Sequence, residues 1–239
     1  MSVIELKNIY TAYEGGDRPV IKDLSLSVKS GEFVVVGGPN GAGKTTLLES
    51  INGMVRVTHG SATVCGLDVR RQGIDVRKKV GYVLQSFFFD PFTPFTVEQV
   101  VRMGRYGQIG LLKKPGIEDM DAAEKAIRAV GIEDLAGKPI GTLSGGQQQK
   151  ALSAQNIARG AELLLLDEPF SNLDFGSREH VNGILKGLVK AGTTIMMVSH
   201  AFDGLPDMSI RIVVMDNGRI VHDGACRAGE VAEIVRAVA

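Results

Sequence analysis

The chain has 239 residues, 44% of them hydrophobic, which suits one large domain or a domain with an inserted lobe around a substantial core. Lys plus Arg equals Asp plus Glu at 27 each, so the charge balance removes the electrostatic argument for nucleic acid or an anionic membrane surface as the main partner. Cys65 and Cys226 stand far apart and outside any ligand-spaced cluster, residues 1–7 lack the basic and apolar regions of a signal peptide, and no apolar run approaches the ~20 residues that span a bilayer. A reducing cytoplasm is expected, with any membrane role coming through a partner.

Residues 2–9 and 20–28 alternate apolar and polar around Glu14-Gly15-Gly16-Asp17, which predicts two antiparallel strands joined by a turn. Residues 33–37 form an apolar run that predicts a buried strand. From Gly38 the sequence reads Gly38-Pro39-Asn40-Gly41-Ala42-Gly43-Lys44-Thr45-Thr46, the G-x-x-x-x-G-K-T pattern of a P-loop, and Leu47-Leu48 then starts a helix. Such glycines let backbone N–H groups turn inward around a phosphate, and the following helix N-terminus adds its partial positive charge. Lys44 would reach the β- and γ-phosphates of a nucleoside triphosphate, and Thr45 would offer its hydroxyl to Mg²⁺.

Residues 61–64 and 79–84 predict short strands, with a polar, basic segment at 70–78 between them. From Gln85 the character changes. Phe87, Phe88, Phe89, Phe92 and Phe95 fall within nine residues, broken by Pro91 and Pro94, which predicts a loop. Helical patterns follow over 97–104 and 118–130, and a third begins at Gly145. Residues 85–160 therefore read as a helical lobe inserted into a nucleotide-binding core made of residues 1–84 and 161–239. Strand signals return at 163–166 and 193–198, separated by a helical pattern over 176–190. Residues 210–215 and 219–221 flank the hairpin signal Asp216-Asn217-Gly218, and a last helix covers 230–238.

The strand at 163–166 ends in Asp167-Glu168-Pro169. An acid at such a strand end supplies the oxygen ligand that Mg²⁺ needs opposite a P-loop, which makes Asp167 the candidate. Glu168 beside it can orient or deprotonate a water in line with the γ-phosphate. Leu143-Ser144-Gly145-Gly146-Gln147 opens the third helix of the lobe. A capping box explains Ser144 and Gln147 but not two glycines, each of which costs a helix start up to ~1 kcal/mol against alanine. The glycines make sense where a backbone or a ligand must approach closely.

These motifs, with Gln85, Ser171-Asn172-Leu173-Asp174 and His200, occur in the order and spacing of an ABC-transporter ATPase subunit, which the chain resembles from about residue 3 to 225. The resemblance implies an α/β P-loop core with an antiparallel β part and an inserted α-helical lobe. It also implies a head-to-tail homodimer holding two ATP molecules, in which Ser144, Gly145, Gly146 and Gln147 of one copy face the γ-phosphate on the P-loop of the other. Tyr13 matches the aromatic on which adenine stacks, Gln85 a residue touching Mg²⁺ and the attacking water, His200 a γ-phosphate ligand across from Glu168, and Asp174 a subunit contact. The sequence departs from the family pattern where Lys150 and Gln155 stand in place of frequent arginines. The charge lost at Gln155 puts a salt bridge of that helix in doubt.

In this family a short permease helix docks beside Gln85, where the aromatic loop lies. Those phenylalanines either form an exposed patch for that partner or fill the core of the lobe. Met103-Gly104-Arg105-Tyr106 resembles importer ATPases for zinc or manganese, and also those for iron-siderophores and cobalamin. The implied protein is a peripheral ATPase on the cytoplasmic face of the membrane. It drives uptake of a metal ion or metal chelate through a separate permease fed by an extracytoplasmic binding protein. The alternative is a soluble ABC ATPase of an assembly complex such as iron–sulfur cluster biogenesis.

Overall fold

A computed structural model describes residues 1–13, 18–83, 89–110, 113–170, 175–200, 202 and 204–238, with 175, 177 and 180 described by backbone only. Strand β1 (Ser2–Thr11) pairs antiparallel with β2 (Ile21–Lys29) on one edge and with β4 (Val57–Val64) on the other. The two-residue β5 (Leu67–Asp68) completes this sheet. Its alternating pattern puts Ile4, Leu6, Leu24, Leu26 and Val28 into the core.

The second sheet has the order β10-β9-β3-β8-β7-β6. Strands β3 (Phe33–Gly37), β6 (Val80–Val83), β7 (Leu163–Asp167), β8 (Thr194–Val198) and β9 (Ser209–Asp216) run parallel, and β10 (Arg219–Arg227) returns antiparallel from β9. Every residue of β3, β7 and β8 is buried. That is why these strands read as unbroken apolar runs: both faces of the sheet are covered. Val34, Val36, Leu165 and Met196 face α1 (Lys44–Ile51) and the antiparallel sheet. Val35, Leu164, Leu166 and Met197 face α6 (Phe175–Lys190) and α7 (Val231–Val238).

Helices α3 (Val97–Ile109), α4 (Ile117–Ala129) and α5 (Gly145–Arg159) form a separate small core around Val97, Val101, Ala126, Ile127, Ala151 and Ala154. Alanines on α5 permit close approach. At Gly104 of α3 a β-carbon would lie 2.2 Å from the Gln155 carbonyl oxygen, so only glycine fits. The Gln155 amide donates to the Val100 carbonyl at 3.0 Å, so α5 is tied to α3 by a hydrogen bond in place of the charge that is missing there. Arg105 joins all three helices, with Nε 2.8 Å from Asp119 Oδ1 and a second nitrogen donating to the Ala158 carbonyl. Gly104 and Arg105 therefore serve the packing of the helices, while Tyr106 is half exposed.

Several boundaries differ from the sequence reading. The basic segment 70–78 contains a helix, α2 (Gly73–Lys79), whose single buried residue Val76 leaves no periodic signal. Helix α3 continues five residues past Gly104, because that glycine packs rather than breaks. Strands β4 and β10 extend to Val57 and Arg227, beyond polar stretches that resemble turns. Of the phenylalanines, Phe89 packs against the helical core, Phe92 is 91% exposed and Phe95 43% exposed; Phe87 and Phe88 lie outside the described residues.

Candidate nucleotide site

Three neighbouring parallel strands, β3, β8 and β7, deliver the site from their C-terminal ends, where α/β sheets bind ligands. The loop leaving β3 is fixed from behind by the β9–β10 hairpin. Gly38 has φ +129°, and a β-carbon there would sit 2.0 Å from the Met215 carbonyl oxygen. The turn residues Asn217 and Gly218 both have positive φ, as a tight hairpin with right-handed strand twist requires. Gly218 donates its N–H to the Ala42 carbonyl at 3.0 Å and accepts from the Lys22 N–H at 2.9 Å. The phosphate loop is therefore braced before any ligand enters.

Gly43, with φ +97°, immediately precedes α1, so the first-turn N–H groups of that helix open onto the cleft. Lys44 is nearly buried, and its ammonium donates to the Gly38 and Pro39 carbonyls at 2.9 and 2.8 Å. Burial pushes its pKa down, and the nearby Glu168 and Asp167 carboxylates counter that shift.

Asp167, buried at the end of β7, accepts a hydrogen bond from the Thr45 side chain. Burial raises its pKa, and the Thr45 bond and the Lys44 charge oppose the rise. A hydroxyl paired with a carboxylate is an all-oxygen donor set suited to a hard cation. Among the described residues no cluster of three or more His, Cys, Asp or Glu side chains could hold a metal, so a cation here would need oxygens from a bound phosphate as well.

Glu168 leaves the strand with φ +52°, in the left-handed region that non-glycine residues seldom adopt. Its N–H donates to the Val198 carbonyl at 3.0 Å, and its carboxylate accepts from the His200 backbone N–H. Glu168 Oε1 lies 3.3 Å from His200 Nε2. Burial is the main cause of a raised Glu168 pKa, partly offset by His200. Strained backbone of this kind persists where the surroundings over-determine it, and it aims the carboxylate into the cleft.

The cleft has a volume of about 500 Å³ and is lined by Asn40, Gly41, Gly43, Lys44, Thr45, Thr46, Asp167, Glu168 and His200, with Val20 and Val198 as apolar walls. Sequence reasoning had no signal for those two valines, which are ordinary strand-end residues until the sheet is assembled. Tyr13 is not one of the lining residues; it is 46% exposed and reaches the cleft residue Thr46 through its hydroxyl, 3.0 Å from Thr46 Oγ1 and donating to Glu49 Oε2 at 2.6 Å.

Ser144, Gly145, Gly146 and Gln147 do not line the cleft. Ser144 caps α5 in a capping box with Gln147, and Ser144 and Gly145 are exposed. The next residue, Gln148, is buried; its side chain accepts from the Phe89 N–H and donates to the Leu143 carbonyl. Gln85 and Ser171-Asn172-Leu173-Asp174 lie outside the described residues.

The ABC transporter family model matches residues 21–171. The manganese transport system ATP-binding protein MntB of Bacillus subtilis is 38% identical over 200 residues, 84% of this chain and 78% of that one. The zinc transport system ATP-binding protein TroB of Treponema pallidum is 32% identical over 98% of this chain and 85% of its own. Among solved structures, a dimeric bacterial ABC transporter cassette superposes with a TM-score of 0.78 at 26% identity, covering 94% of this chain and 98% of that one. The braced phosphate loop, the paired carboxylates and these matches have one meaning: the chain belongs to the ABC transporter family, as an ATP-binding subunit that hydrolyses ATP.

Proposed function

We propose that this chain powers uptake of a metal ion, manganese or zinc, or of a metal chelate, working as a homodimer docked on the cytoplasmic side of a separate membrane permease. The observation that carries the dimer is the split of the motifs. The P-loop, Asp167, Glu168 and His200 share one cleft, while Ser144, Gly145, Gly146 and Gln147 present an exposed helix start elsewhere. A second copy related by a two-fold axis supplies that helix start to the γ-phosphate and makes both sites equivalent. The manganese and zinc systems of the relatives support the cargo, and the exposed Phe92 and Phe95 support a docked partner.

In this reading Lys44 and the α1 N-terminus hold the phosphates, Tyr13 carries the adenine, and Glu168 takes a proton from the attacking water. Its raised pKa suits that role, because a base works best when its pKa approaches the working pH. His200 fixes the carboxylate and faces the γ-phosphate. Thr45 and Asp167, with Gln85, would hold Mg²⁺, which neutralises charge on the β- and γ-phosphates when bound. The helical part, residues 85–160, is the unit that moves when ATP draws two copies together, carrying the docked permease segment and an extracytoplasmic binding protein's cargo with it.

Tagged Glu168→Gln protein incubated with ATP and recovered from detergent-solubilised native membranes tests this reading. A polytopic permease is expected in the complex, and deleting the chain should abolish accumulation of radiolabelled manganese or zinc. Recovery of soluble partners alone, with metal uptake intact in the deletion strain, would move the chain to a soluble assembly complex.

A further inference from the structure

Helix α1 carries an acidic side chain that the hydrolytic reading does not use. Glu49 lies one turn after Thr46, on the same face of the helix, because residues three apart are neighbours there. Thr46 lines the nucleotide cleft. The Tyr13 hydroxyl spans both residues, donating to Glu49 Oε2 at 2.6 Å and lying 3.0 Å from Thr46 Oγ1. Tyr13 thus has one end pinned to the helix that begins at the phosphate loop, while 46% of its surface remains open to solvent.

We infer that Glu49 is a positioning residue for nucleotide binding: its carboxylate anchors the Tyr13 hydroxyl and holds the ring beside the cleft as a preformed platform for the base. The inference rests on the reading of Tyr13 as the adenine platform. An unanchored tyrosine at the end of β1 samples several rotamers and must be ordered when the base arrives, and anchoring removes that cost. A charged acceptor makes the anchor stronger than a neutral one. Opposing this, a carboxylate near a triphosphate repels it. The two effects separate by substitution, since glutamine keeps an acceptor without the charge and alanine removes both.

The test is equilibrium binding of ATP and of inorganic tripolyphosphate, which has no base, to wild-type protein and to Glu49→Ala, Glu49→Gln, Tyr13→Phe, Tyr13→Ala and the Glu49→Ala/Tyr13→Phe double variant. Glu49→Ala should weaken ATP about three- to tenfold, the scale of ordering one side chain. Tyr13→Phe should match it, the double variant should be no worse than either, and Glu49→Gln should recover most of the affinity. Tripolyphosphate should bind the two Tyr13 variants as it binds wild type, and the Glu49→Ala and Glu49→Gln variants equally and no more weakly than wild type. If Tyr13→Ala leaves ATP affinity unchanged, the platform reading itself fails. If Tyr13→Ala weakens ATP but Glu49→Ala does not, or Glu49→Ala weakens tripolyphosphate equally, Glu49 is not a positioning residue.

Discussion

At the scale of single residues, the site places ionisable groups where ionisation costs folding free energy. Glu168 has a side chain only 11% exposed and a pKa raised mainly by burial. Its folded-state pKa lies above its unfolded value, so below the unfolded value both states are protonated and nothing is lost. As pH rises through the folded value, the folded state must ionise a buried group and stability falls. Glu168→Gln removes that cost. Nucleotide-free Glu168→Gln protein should therefore be more stable than wild type at pH 7 by about 0.5–1 kcal/mol, a gain typical of relieving a strained functional group. For a chain of this size that is a rise in Tm of about 1–4 °C. The gap should close near pH 4, and a gap independent of pH would mean that burial of the charge is not its cause. The same residues were legible in the sequence because P-loop chemistry demands specific residue types at fixed spacing. Glu49 was not: it lies 36 residues from Tyr13, and only the packing of β1 against α1 brings them together.

At the scale of elements, the helical part is held by contacts that leave little room. The three-helix junction has Gly104 against the Gln155 backbone and Arg105 bridging Asp119 and Ala158. Gly104→Ala should cost about 1–3 kcal/mol, the usual penalty for overpacking, and should spread α3 from α5. At Gly107, on the same helix, a β-carbon would meet nothing beyond its own helix within 4 Å except Lys78 Cγ at 3.8 Å, an ordinary van der Waals contact. Gly107→Ala should instead stabilise by about 0.5–1 kcal/mol, the helix preference for alanine over glycine. Urea denaturation of both variants checks the pair, and equal effects would contradict the packing described. Elements with strong periodic or continuous apolar signals, such as β3, β7 and β8, were legible to within a residue. Helix α2 was not, since it buries only Val76, and the Arg77 guanidinium that donates to the Gly53 carbonyl gives no local sequence signal.

At the scale of the whole molecule, two features set the function. Parallel strands β3, β8 and β7 stand side by side, so segments separated by more than a hundred residues end at one cleft. The β9–β10 hairpin, from the far end of the chain, reaches back to hold the phosphate loop through Gly218 and Ala42. A β-carbon at Gly218 would lie 1.9 Å from the carbonyl oxygen of Val20, an apolar wall of the cleft, so Gly218→Ala should displace that wall and the loop and weaken ATP binding, although Gly218 itself does not line the cleft. Titration with a fluorescent ATP analogue reads this out, and wild-type affinity in that variant would show that the brace is dispensable. The order of motifs in the sequence announced the cleft, whereas the brace depends on sheet order, which local patterns do not encode.

Ser144 to Gln147 do not line the cleft of their own copy, and their supply by a second copy is the central claim of the proposed function. Sedimentation equilibrium of Glu168→Gln protein, with and without Mg-ATP, tests it most directly alongside a hydrolysis assay. The expected result is a 25.5 kDa monomer that doubles in mass with ATP and turns over at least about a hundredfold more slowly than wild type, the usual worth of a general base. A variant that stays monomeric with ATP bound, or that hydrolyses at the wild-type rate, would contradict the account.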